Sequence, residues 1–97
     1  MTMHNPPHPG EFIYSVYLEP FDMSARALAK SLAVSPSTLN RVITGKSGIS
    51  PDMALRLSKA LGRSAESWLA MQDHYDLWQA KRHTKLDQVR AVEFAVA

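Results

Sequence analysis

Gly and Pro residues cut this 97-residue chain into short pieces whose apolar positions recur every three to four residues, a pattern that leaves helices as the building material. A first helix opens at Pro9, where a missing N–H does no harm, and runs through Glu11, Phe12, Ile13, Val16 and Tyr17 until Pro20 stops it. Ser24 caps a second, with Ala25, Leu28, Ala29 and Leu32 forming a narrow apolar stripe. Ser35 caps a third with Pro36 in its first position and Gly45 as its stop. Ser50, Pro51 and Asp52 open a fourth, which buries Met53, Leu57, Ala60 and Leu61 and ends at Gly62. A fifth and longest helix runs from about Ser64 to Arg82, with Trp68, Met71, Tyr75 and Trp78 along one side. The fold class this predicts is all-α: a compact five-helix domain with a helix-turn-helix, spanning residues 8–82. Residues 1–7 read as a flexible N-terminus. In the tail, 83–97, Val92, Phe94 and Val96 alternate like a strand while Leu86, Val89 and Val92 suit a helix. So apolar a tail on so small a domain suits a dimerisation segment as well as it suits fraying.

Composition excludes several function classes. No apolar run approaches the roughly 20 residues of a membrane span, and the first ten residues lack the basic and apolar parts of a secretory signal. With no Cys there is no thiolate nucleophile, disulfide framework or Cys-based zinc site, and a reducing cytoplasm is the expected location. His4, His8, His74 and His83 show no metal-ligand spacing, so no metal and no cofactor are expected. No nucleophile elbow, phosphate loop or catalytic pairing occurs, and Asp73 with Asp76 beside His74 reads as a solvated helix face; the chain is not expected to be an enzyme.

Charge placement says more than the net +2. Residues 1–22 hold three acids and no base, whereas residues 23–51 hold Arg26, Lys30, Arg41 and Lys46 and no acid. A positive segment of this kind fits an anion-binding face, often one for nucleic acid. It coincides with the second and third helices and their three-residue turn. On the third, Leu39, Val42 and Ile43 fall on one side, and Ser37, Asn40, Arg41 and Thr44 on or near the other. Short hydrogen-bonding side chains with one Arg suit the base edges of a major groove, and the pair is a helix-turn-helix candidate.

The run from Ser24 through Ala33-Val34-Ser35-Pro36-Ser37-Thr38-Leu39-Asn40-Arg41 to Thr44-Gly45-Lys46 resembles the Cro and phage-repressor-like (XRE) family. Over residues 8–82, His8-Pro-Gly-Glu11, Leu18-Glu-Pro20, Ile49-Ser-Pro-Asp-Met-Ala-Leu-Arg-Leu57, Trp68-Leu69 and Tyr75-Asp-Leu-Trp78 are similar to HigA-type antitoxins. That resemblance implies a homodimeric repressor of its own operon that also neutralises a HigB-type toxin, an mRNA-cleaving RelE-like ribonuclease. It assigns base reading in double-stranded operator DNA to Ser37, Thr38, Asn40 and Arg41. Arg41 suits guanine and Asn40 adenine.

Ser24, Arg26, Ser35, Thr44 and Lys46 are the phosphate-contacting candidates, the two serines doubling as helix caps. Lys30 reads as solvated. Trp68, Met71, Tyr75 and Trp78 read as core or interface rather than a base-stacking platform. Relatives often carry Gly in place of Ala33, so a left-handed turn there would be strained. A transcriptional regulator without a toxin partner, and an interaction module that has lost DNA binding, are the competing readings. Glu11, Glu19 and Asp22 read first as a solvated face; a basic toxin surface would choose that segment to dock on.

Overall fold

In the computed structural model, which describes residues 5–95, the chain is five helices joined by short turns: α1 (Pro9–Ile13), α2 (Ala25–Leu32), α3 (Pro36–Ile43), α4 (Pro51–Leu61) and α5 (Ala65–His83). A π-helical turn, Tyr14–Leu18, continues α1. Ser24, Ser35, Ser50 and Ser64 each accept a hydrogen bond from a backbone N–H of the first turn of α2, α3, α4 and α5, so each start read from the sequence is a side-chain cap. Pro36 and Pro51 open their helices, and Gly45 and Gly62, at φ of 80° and 93°, follow their ends.

The first helix departs from the regular α-helix expected up to Pro20. Its N–H to C=O pairing slips by one residue, Glu19 N–H donating to Tyr14 O over 2.9 Å. An extra residue in the turn rotates the next part of the helix, so Leu18 rather than Val16 comes onto the face of Ile13. Phe12 and Tyr17, also five apart, then both meet the Trp68 ring, with centroids 5.8 and 6.3 Å away. The turn beyond the π segment places the non-glycine Asp22 at φ 51°.

Ile13, Leu18, Leu28, Ala29, Leu32, Leu39, Val42, Ile49, Met53, Ala54, Leu57 and Trp68 form one core shared by all five helices. On α4 the buried face is Met53, Ala54 and Leu57; Leu61 is half-buried, and Ala60, expected inside, is exposed. Ala60 lines a concavity together with Ser31, Leu32 and Ala33 and is not closed over. Trp68 is fully buried, Met71, Tyr75 and Trp78 are half-buried, and Arg82 lies 4.6 Å over the Trp78 ring. Beyond His83 residues 84–95 form neither helix nor strand and are exposed throughout. Residues 1–4, with His4, and 96–97, with Val96, lie outside the described residues. No helix among the described residues is long and apolar enough to cross a membrane.

Candidate nucleic-acid interface

The interface candidate is built on α2 and α3, and its geometry is set by the turn between them. Ala33 stands in the left-handed region (φ 59°, ψ 42°), with its N–H donating to Lys30 O and the Val34 N–H to Ala29 O, each over 3.1 Å. This paired closure ends α2 and lets α3 start three residues later, at Pro36. It demands a conformation that alanine adopts at a cost of about 1–2 kcal/mol. Arg56, reaching from α4, compensates: its guanidinium donates to Leu32 O (3.0 Å) and Ala33 O (3.1 Å), while its Nε pairs with Asp52 at 2.6 Å. The sequence reading passed over Arg56, because the carbonyls that need it are 23 and 24 residues away in the chain.

On α3 the two faces separate as the spacing predicts. Leu39 and Val42 are buried and Ile43 is half-buried, whereas Ser37, Thr38, Asn40, Arg41 and Thr44 are all exposed. Arg41 forms no ion pair among the described residues, so its five donors face solvent. Thr38 is partly engaged, since its hydroxyl accepts from Ser35 Oγ over 2.8 Å. Ser35 also lies 3.2 Å from Ser37 Oγ and caps α3 through the Thr38 N–H, which makes it the organiser of the first turn. Thr44 turns its hydroxyl back onto Asn40 O at 2.8 Å, closing the C-terminal end of α3.

Arg26 and Lys46 are exposed. Ser24 and Arg26 line a concavity of about 520 Å³ together with Lys30, Val34 and Pro36. Lys30, which the sequence leaves as a solvated residue, therefore joins the phosphate candidates on one basic depression beside the N-terminal end of α3. There the orphan N–H groups add to the positive potential.

Two supports of this surface are absent from the sequence reading. Gln72 of α5 is buried; its side-chain oxygen accepts the Ile49 N–H at 2.9 Å and its amide donates to Asp76 at 2.9 Å. That bond ties the loop after α3 to the long helix. Gly10, at the start of α1, lies against the last turn of α3, where a Cβ would stand 1.9 Å from Val42 O. Only glycine permits that approach. His8 caps α1, its Nδ1 accepting the Gly10 N–H over 2.9 Å.

Comparison with known proteins agrees with this arrangement. The family model described as Helix-turn-helix matches residues 17–68, more than half of the chain. Virulence-associated protein I of Dichelobacter nodosus is 49% identical over 75 residues, covering 77% of this chain and 69% of that protein. An addiction module antidote protein of a HigA family from Coxiella burnetii is 35% identical, with a TM-score of 0.82 over 93% of this chain and all of that one. Antitoxin GraA in complex with its operator is 35% identical, with a TM-score of 0.82 over the whole of this chain and 98% of that one. With its turn, its recognition face and these likenesses taken together, the chain belongs to the XRE-type helix-turn-helix family, among the HigA-type antitoxins.

Proposed function

We propose that this protein is the antitoxin of a two-gene module, which represses its own operon by sequence-specific DNA binding and neutralises a HigB-type, RelE-like mRNA-cleaving toxin. The observation that carries the first half is the exposed row Ser37, Asn40, Arg41 and Thr44 on a helix whose other side is buried core. A helix so mounted enters a major groove, and similar chains have been solved on their operators. In this reading Ser37, Thr38, Asn40 and Arg41 read bases; Arg41 takes guanine through two donors. Ser24, Arg26, Ser35, Thr44 and Lys46 hold phosphates.

The protein acts as a homodimer on an inverted repeat, in the cytoplasm where its operator lies, and carries out no catalysis itself. Two-fold symmetry asks for half-sites one helical turn apart or a multiple of it. Toxin binding is assigned to the acidic segment Glu11, Glu19 and Asp22, which is exposed beside Tyr14, Phe21 and Met23 and offers both charge and apolar area to a basic ribonuclease.

The test is binding of the purified protein to about 100 base pairs upstream of its gene, against scrambled DNA of equal length, over a salt series. Preference for its own promoter persisting at physiological salt is the expected result. Equal and salt-labile binding to both would reduce α3 to a basic surface and overturn the repressor reading. Co-expression with the product of the adjacent small reading frame tests the second half: rescue of growth marks an antitoxin, and a harmless or absent neighbour leaves a regulator without a toxin.

A further inference from the structure

Among the described residues, four of the five α-helices are capped by serine and one by histidine. Serine would satisfy the Gly10 N–H equally well, so capping alone does not call for an imidazole. What serine lacks is reach. The half-buried His8 ring stands edge-on to Tyr75 of α5, with centroids 4.9 Å apart, and a Cβ on Gly45 would lie 4.0 Å from its Cγ. One side chain thus touches the start of α1 and the middle of α5, with Gly45 of the loop that ends α3 close by. The Gly10 that it caps is the residue pressed against Val42 and Ile43, in the turn of α3 that also carries Arg41 and Thr44.

We propose that His8 is a positioning residue for DNA binding: as the neutral imidazole it clamps the last turn of the recognition helix between α1 and α5, and its protonation releases that clamp and weakens operator affinity. The inference rests on the operator-binding reading above. Its mechanism is local. Nδ1 accepts the Gly10 N–H only while it carries no proton, so the neutral form is the Nε2–H tautomer, and an imidazolium has two donors and no acceptor left. Burial pushes the His8 pKa below its usual value, against the carboxylates of Asp76 and Glu11, which raise it. The charged and titratable groups around it are Glu11 from α1 and Tyr75, Asp76 and Arg82 from α5, while the loop after α3 presents Gly45 with the exposed Lys46 beside it. Because burial lowers the folded-state value, the neutral, clamped form holds above the ordinary value of about 6.5, and the clamp is lost only as pH falls through the lowered folded-state value.

The experiment measures operator affinity of the full chain by fluorescence anisotropy from about pH 8 to pH 5.5, for the wild type and for His8→Asn, His8→Ser and His8→Ala. Asparagine keeps the cap acceptor and does not titrate. The expected result is that the wild type, relative to its own affinity at the alkaline end, weakens by about three- to tenfold more than His8→Asn does at the acid end. His8→Ser, which restores the cap but not the reach, and His8→Ala should be weaker throughout. Parallel profiles for wild type and His8→Asn would overturn the proposal while leaving operator binding intact, whereas equal binding of operator and scrambled DNA at pH 8 would remove the parent reading and this one with it. Should the variants fail to fold, an NMR titration of the wild type decides. The Gly10, Val42, Ile43 and Gly45 amide signals are expected to move with the His8 midpoint, and signals that ignore it would overturn the assignment.

Discussion

Arg41, the proposed guanine-reading residue, is exposed on the last turn of α3 with no carboxylate paired to it among the described residues. Arg41→Ala is expected to weaken operator binding by about 10- to 100-fold, one lost bidentate base contact, and to weaken binding to scrambled DNA much less. Titration of both DNAs at one salt concentration checks this; equal losses on the two would make Arg41 a phosphate contact. Ala33 offers the opposite kind of change. At φ 59° its Cβ strains a turn that glycine would adopt freely. Ala33→Gly should therefore stabilise the fold by about 0.5–1 kcal/mol, the strain relieved being partly offset by the extra freedom of glycine in the unfolded chain. Denaturant midpoints for the two proteins measure it, and operator affinity should not change.

At the scale of elements, the loop between α3 and α4 depends on α5. The Ile49 N–H and the Gln72 side chain are both buried, and the bond between them spans 23 residues. Gln72→Ala should destabilise the protein by about 2–3 kcal/mol, for an unsatisfied N–H plus a cavity. Amide exchange read residue by residue should show faster opening at Ile49 than in the α2–α3 turn, which Arg56 holds independently. The π-helical turn after α1 belongs to this scale as well. It brings Phe12 and Tyr17 together on Trp68, a gain in aromatic packing that offsets the irregular hydrogen bonding.

At the scale of the molecule, the exposed apolar tail is the segment on which the proposed homodimer can be tested. Leu86, Val89, Val92 and Phe94 are 65%, 64%, 69% and 82% exposed, an apolar series beyond a long helix on a molecule 60 Å in its longest dimension. Such exposure is tolerated when another surface covers it. Replacing Val92 and Phe94 together by Asp is expected to halve the mass measured in solution and to cost operator affinity at least tenfold, since each half-site is then bound alone. Circular dichroism of the helices should be unaltered, because no core residue touches the change. A dimer persisting in the variant would place the interface elsewhere.

The helices, their serine caps and the separation of the two faces of α3 were determined by the sequence alone, because each depends on neighbours within four residues. So was the basic segment from Arg26 to Lys46, which is a matter of placement along the chain. Ala33 was legible as a point of strain only through the family resemblance, in which glycine often holds that place. What the tertiary structure decided involves partners far apart in sequence: Arg56 on the carbonyls of the turn, Gln72 under Ile49, Gly10 against Val42, and His8 against Tyr75. None of these contacts has a period or a spacing to reveal it. The same holds for Ala60, which the apolar stripe of α4 draws inward but which is left exposed, and for the slip that turns Leu18 in place of Val16. Local rules choose the helix, and only the packed arrangement chooses which residues at its margins are covered.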